Sequence, residues 1–214
     1  FAFGTTQQIE IGEAVGRAHR VSYVGELGWE LYIPADMSAH VFETLMTRRQ
    51  DHPLVLCGLH ALDSCRIEKA FRHFGHDISN EDHVLEAGLG FAVKEDKQVG
   101  RLGGMIGAEA VRAKRNMGLS QRLMQFRLKD PKPLLYHNEA ILRDGELVGY
   151  LTSGNYGHHL GAAIGLGYVK CAAAGETSEQ QLRSSYQIDV AGQLVDAEVS
   201  FKPMYDPKAT KVKL

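Results

Sequence analysis

Glu26 and Glu30 lie four residues apart in Val21–Pro34, VSYVGELGWELYIP, with Tyr23 and Tyr32 close on either side of them. A carboxylate set between aromatic rings has the chemistry to hold a flat, hydrogen-bonding ring: the aromatic walls supply contact area and the carboxylate accepts two parallel N–H bonds. Runs rich in Val, Tyr, Leu and Ile flank Glu26, Leu27 and Gly28, which predicts a β-hairpin. A two-residue turn at Glu26 and Leu27 places Tyr23 opposite Glu30 and Val21 opposite Tyr32. Ser22, Val24, Trp29, Leu31 and Ile33 then form the core face. If Gly28 is instead a bulge residue, Tyr23 faces Leu31. Glu26 reads first as a turn residue and only second as a ligand contact, and Trp29 reads as core.

Arg66 is the next residue with chemistry to offer. In a helix expected from about Leu59 to Phe71, Leu59, Leu62 and Arg66 fall at i, i+3 and i+7, so the guanidinium lies on the stripe that should be buried. A buried guanidinium needs a carboxylate, a ring of carbonyls or an anionic ligand. Glu30 and Asp63 are candidate partners, and an internal ion pair is the favoured reading. His73 and His76 share i, i+3 spacing but have no suitably spaced third ligand, and His158 and His159 would point opposite ways on a strand; no metal site is assigned. Cys57, Cys65 and Cys171 are odd in number and lack CxxC spacing, which argues against a disulfide framework or a zinc site. They point to a reducing compartment, taken as cytoplasmic. A G-x-G-x-x-G fingerprint is absent, since Gly165-Leu166-Gly167 lacks the third glycine and Gly103-Gly104 has the wrong spacing. This chain is therefore not expected to bind FAD by itself.

The elements that must position these residues follow from periodicity. Gln8–Ile11 and Arg20–Tyr23 read as strands. From Ser38 to Thr47, Val41, Phe42, Leu45 and Met46 recur at helical spacing, with Ser38 as N-cap. Phe71 to Gly90 reads as irregular, ending at a strand from Leu89 to Val93. A glycine-rich loop from Gly100 to Gly107 leads to a short basic helix, Ala108 to Met117, that links two domains. From Gly118 onward, β-type runs are expected at Arg122–Leu128, Ala140–Leu142, Leu147–Thr152, Ala162–Val169, Tyr186–Val190 and Leu194–Phe201. Turns fall at Asp144-Gly145, Gly154 to Gly157 and Ala191-Gly192, which suggests a small barrel or sandwich.

With 214 residues, 44% hydrophobic and 23% charged, the chain has the composition of a folded globular protein rather than a disordered one. A net charge of -2 offers no general field for nucleic acid or for an anionic membrane, so neither is expected as a partner. No apolar run approaches the roughly 20 residues of a membrane-spanning helix.

Val21–Pro34, GLHALDSCRIEKAFRHFGHDIS from Gly58 to Ser79 and LEAGLGFAVK from Leu85 to Lys94 together resemble the tetrahydrofolate-binding aminomethyltransferase family. That family includes the glycine-cleavage T-protein and the C-terminal half of sarcosine and dimethylglycine dehydrogenases. YVGELGWELY, with Leu27 where T-proteins usually carry an acidic residue, is more similar to the dehydrogenase branch, as is FKPMYDPK from Phe201 to Lys208. LTSG at Leu151–Gly154 and GLGYV at Gly165–Val169 resemble the family's C-terminal β-domain. The resemblance implies an α+β fold: a truncated folate-binding aminomethyltransferase domain over 1–106, a linker helix over 107–117 and an all-β barrel over 118–214.

What the resemblance implies about function is more specific. Tyr23 and Glu30 match the residues that grip the pterin ring of tetrahydrofolate, and Arg66 remains to meet the folate's glutamate tail, although Leu62 stands where T-proteins have an arginine. The product would be 5,10-methylenetetrahydrofolate, made from an amine-derived one-carbon donor. The start FAFGTTQQIEIG is similar to sequence well inside the family's folate domain, so an upstream part is expected. It would carry the aspartate thought to act in transfer, leaving no catalytic residue to assign here, and in the dehydrogenase branch an FAD domain; the partner is that domain or a lipoyl carrier protein. Two other classes are set beside this one. A relative in iron-sulfur maintenance would carry Lys-Gly-Cys-Tyr where this chain reads Lys69-Ala70-Phe71-Arg72. A noncatalytic folate-binding or docking module could dispense with Glu30 or Tyr23, and both are present.

Overall fold

The computed structural model describes residues 1–95 and 104–214. Half of the glycine-rich stretch expected at Gly100–Gly107, residues 100–103, lies outside these residues. The chain opens with a three-stranded antiparallel sheet, β1 (Thr6–Ile11), β2 (Ala14–His19) and β3 (Glu30–Tyr32), in the order β1-β2-β3. Two helices follow, α1 (Ser38–Thr47) and α2 (Leu59–Glu68), and after an irregular stretch a third, α3 (Ala108–Met117). The chain then closes a barrel from β4 (Gln121–Leu128), β5 (Ala140–Arg143), β6 (Glu146–Gly157), β7 (Ala162–Lys170), β8 (Tyr186–Val190) and β9 (Gln193–Ser200). The short helix α4 (Ser178–Arg183) lies between β7 and β8. The barrel order is β4-β7-β6-β5-β8-β9, antiparallel at every seam.

Alternation along the strands builds the barrel core. Met124, Phe126, Leu128, Ile141, Leu151, Val169, Ile188 and Val195 point inward and are buried, which removes the apolar faces from water and leaves no open sheet edge. A second cluster lies outside the barrel, where Ile67 and Ala70 at the end of α2 pack on Leu123, Ile164 and Leu166 of β4 and β7. This contact fixes α2 against the barrel wall.

The helices α1 and α3 occupy the residues their periodicity predicts. Ser38 is the first residue of α1 rather than its cap; its Oγ donates to the carbonyl of Ala35 in a preceding 3-10 turn. Leu89–Val93 contains a 3-10 turn at Gly90–Ala92 in place of the expected strand. Gly154 to Gly157, read as a turn, instead continues β6 to pair with β7. A Cβ on Gly154 would lie 2.7 Å from the Leu135–Tyr136 backbone, so glycine serves close packing of the chain there rather than a reversal.

The hairpin expected at Val21–Pro34 does not form. Strand β3 pairs with β2, with Arg17 opposite Tyr32, Ala18 opposite Leu31 and His19 opposite Glu30. Strand β2 ends at His19, and Arg20 to Trp29 forms an irregular loop. The earlier partner wins because β2 is already paired with β1, and its other edge offers a ready ladder to the short β3.

Candidate functional site

The loop Arg20–Trp29 gets its shape from side chains. Arg20, 2% exposed, donates from Nη1 to the carbonyl of Gly28 at 3.0 Å and from Nη2 to that of Leu214 at 2.8 Å. Gly25 N–H donates to Ser22 Oγ at 3.1 Å. Gly25 has φ +82°, and a Cβ on it would lie 2.2 Å from Lys69 Cγ, so both the turn and the close approach require glycine.

Tyr23 points toward the stretch that follows α2. Its hydroxyl donates to the carbonyl of Arg72 at 3.0 Å, and its ring stacks on Phe71 with centroids 6.0 Å apart. Burial pushes its phenol upward. Glu30 is exposed on β3 and accepts from the Tyr32 hydroxyl at 2.7 Å. The tyrosine beside the carboxylate is thus Tyr32, two residues along the same strand face, and not Tyr23. Trp29, expected in the core, is 45% exposed; Arg20 lies 4.9 Å over its ring and Phe1 meets it edge-on. Leu27, Leu31 and Tyr32 are also exposed; Tyr32 shares the Glu30 face of β3, with Arg17 and His19 opposite on β2, while Leu31 lies on the other face.

Arg66 is buried with its charge neutralised inside the protein. Its guanidinium donates to Asp63 Oδ1 at 2.6 Å, to Asp77 Oδ2 at 2.5 Å, to Ser153 Oγ at 2.7 Å and to the carbonyl of Phe71 at 3.1 Å. Asp77 is fully buried and also accepts from Thr152 Oγ1 and from the His73 N–H. Of the partners set out for Arg66, the structure supplies Asp63 and not Glu30. Asp77 lies in a stretch without periodicity, and neither the run expected at Leu147–Thr152 nor LTSG marked Thr152 or Ser153 as a partner, because these groups meet only when β6 and the irregular stretch after α2 pack together.

A groove of about 440 Å³ opens between α2 and the barrel; Leu59, Leu62, Asp63, Arg66, Leu134, Tyr136 and Tyr156 are among its lining residues. His73 and His76 also line it, their rings edge to face at 4.6 Å, and among the described residues no group of three His, Cys, Asp or Glu side chains is arranged to hold a metal. No helix among the described residues is long and apolar enough to cross a membrane.

A sheet-and-helix layer packed through α2 onto a closed six-stranded antiparallel barrel, with an exposed carboxylate beside a tyrosine on the small sheet, defines a two-part α+β class of protein. Residues 1–97 match the family described as GCVT N-terminal domain, and residues 121–206 match the glycine cleavage T-protein C-terminal barrel domain. The chain belongs to this aminomethyltransferase family. It is 39% identical over 207 residues to 4-methylaminobutanoate oxidase (formaldehyde-forming) of Paenarthrobacter nicotinovorans, covering 97% of this chain and 24% of that protein. Human mitochondrial sarcosine dehydrogenase is 34% identical over all 214 residues, which cover 23% of its length. The aminomethyltransferase of Halothermothrix orenii is 39% identical over 151 residues, 71% of this chain and 41% of that one. The solved aminomethyltransferase T of the Bartonella henselae glycine cleavage system shares the fold, with a TM-score of 0.77 at 22% identity over 95% of this chain and 52% of that one. The chain thus spans about a quarter of the length of the first two relatives.

Proposed function

We propose that this chain is the tetrahydrofolate-binding part of an enzyme that transfers a one-carbon unit from an amine, with Glu30 as the carboxylate that orients the pterin. The observation that carries the reading is the state of Glu30. It is an exposed carboxylate whose one hydrogen-bond donor among the described residues is Tyr32, on the sheet face it shares with Tyr32 and with His19 and Arg17, the residues opposite them on β2. A carboxylate open to a ligand and flanked by an aromatic ring suits the paired N–H donors of a pterin edge, which it accepts side by side. Bound tetrahydrofolate would supply the N5 and N10 atoms that take up the carbon. The contribution of this chain is to fix the ring so that those atoms meet the donor at attack distance.

Tyr23 enters the proposal as a wall of the site, positioned by Phe71 and the Arg72 carbonyl. Arg66 enters as the residue that shapes the groove toward the folate tail; with Asp63 and Asp77 on its guanidinium it offers little free charge to an anion. The division into 1–106, 107–117 and 118–214 belongs to the same reading, as do an upstream FAD domain or lipoyl carrier as partner. Isothermal titration of the folded chain with tetrahydrofolate tests it. Saturable binding that Glu30→Gln weakens by about 1 to 3 kcal/mol, the scale of a charge-assisted hydrogen bond, is the expected result. Equal affinity in the variant removes Glu30 from the site.

A further inference from the structure

We infer that the segment Tyr205–Leu214 is a latch for the loop Arg20–Trp29, and that Tyr205 is a positioning residue for the proposed folate site through its hydroxyl bond to Glu26. The inference rests on the reading of the site given above and adds what holds it. The loop lacks ladder hydrogen bonds, so its conformation depends on what its side chains meet. Two of those contacts come from the far end of the chain: the Tyr205 hydroxyl donates to Glu26 Oε1, and the Leu214 carbonyl accepts from Arg20.

Tyr205 is itself held on several sides. Its N–H donates to the Glu68 carbonyl at 3.3 Å, and its ring stacks on His159, with centroids 4.1 Å apart and planes 22° from parallel. His159 in turn meets buried Glu68 through Nδ1 at 2.8 Å, and its Nε2 lies 3.9 Å from Glu26. Lys69, buried against Gly25, donates to the carbonyl and carboxylate of Asp206 at 2.8 and 3.0 Å. Asp206 gathers the Thr210 hydroxyl and the N–H groups of Thr210 and Lys211, which curls the segment back toward the loop. The hydrogen bond to Glu26 and partial burial push the Tyr205 phenol up to about 12, as expected of a donor kept protonated beside a carboxylate. One hydroxyl therefore joins the loop that carries Tyr23 to a seat made by α2 and the barrel.

The test needs no ligand at first. In the full 214-residue chain, amide exchange across residues 22–28 and acrylamide quenching of Trp29, the single tryptophan, report the loop directly. Tyr205→Phe should speed loop exchange about tenfold, the equivalent of one lost charge-assisted bond, while strands β4 to β9 keep wild-type rates. Glu26→Ala should reproduce this. Glu26→Gln, which keeps a carbonyl acceptor for the hydroxyl but not its charge, should give an intermediate increase of about threefold. Tyr186→Phe, which removes a hydroxyl bonded to Gln181 within the barrel region, should leave the loop unchanged. Unaltered loop exchange in both Tyr205→Phe and Glu26→Ala overturns the latch. Titration with tetrahydrofolate then separates the two readings. A wild-type Kd raised about tenfold by Tyr205→Phe with an unchanged melting temperature supports positioning of the site, and an equal Kd overturns that role. Failure of the wild type to bind overturns the folate reading, while the exchange data still decide the latch.

Discussion

Arg66 directs its guanidinium at two carboxylates, a hydroxyl and a carbonyl, and this arrangement decides what a substitution does. Asp77 is fully buried, and taking Arg66 away leaves a carboxylate without its counter-charge in a site closed to water. Arg66→Met should therefore cost about 3 to 5 kcal/mol, read as a shift in the denaturant midpoint at constant slope. Arg66→Lys should recover only part of that loss, because one ammonium cannot reproduce a planar fork that reaches Asp63, Asp77 and Ser153 together. A loss below about 1 kcal/mol for Arg66→Met would mean that Asp77 is held by Thr152 and the His73 N–H alone. The sequence placed Arg66 on a buried stripe from spacing within one helix, and that was legible. Its main partner was not, since Asp77 lies in a stretch without periodicity and Ser153 lies 87 residues away.

Among the elements, legibility followed the strength of local signals. Helix α1 has apolar residues at regular helical spacing, and α3 is bracketed by Gly107 and Gly118, so both extents could be read. The barrel strands were found because alternation and turn glycines recur along them, yet β6 was cut short at Thr152 where its glycines imitate a turn. The region around Val21 to Pro34 failed for a different reason: its own pattern suits a hairpin, but β2 was already available as a partner, and a choice between pairings is a tertiary matter. Helix α3 also shows how an element is tied down. Its Lys114 lies 2.7 Å from Glu86, which accepts from Ser120 N–H and Oγ. Burial pushes the Glu86 carboxyl up, but the hydrogen bonds from Lys114 and Ser120 outweigh it and hold the group below its usual range. A carboxylate depressed on folding contributes stability that is complete above its unfolded pKa, roughly 4.3, and is lost as pH falls through the lower folded value. Glu86→Gln should be less stable than wild type at pH 6, and the gap should narrow as pH falls below the ordinary carboxylate range. Denaturant melts across that range check this; a gap independent of pH would assign Glu86 a packing role only.

Over the whole molecule, apolar burial is distributed unevenly. Both core clusters are built from the barrel and the end of α2, and neither includes a residue before Ile67. In the sheet β1-β2-β3 the buried side chains are Ala14 and Ala18, while Val15, Leu31 and Tyr32 are at least 42% exposed. Helix α1 buries Val41 and leaves Phe42 52% exposed; Val55, Leu56 and Leu59 beyond it are 64% exposed or more. Since stability follows apolar area removed from water, the first sixty residues have little to hold them closed apart from backbone ladders and the side-chain contacts of the Arg20–Trp29 loop. Local opening should accordingly cost least there and most in the barrel, where strands close on one another around Phe126, Leu151 and Ile188. In native-state hydrogen exchange, slowly exchanging amides of β4, β7 and β8 should report global unfolding, while amides of β1 to β3 exchange at least about a hundredfold faster through sub-global opening. Urea should speed exchange in the barrel with the full slope of global unfolding and in the small sheet with a much smaller one, because opening the sheet exposes little new surface. Equal rates and equal slopes in the two regions would show that α2, seated on Leu123, Ile164 and Leu166, couples the whole chain into one cooperative unit.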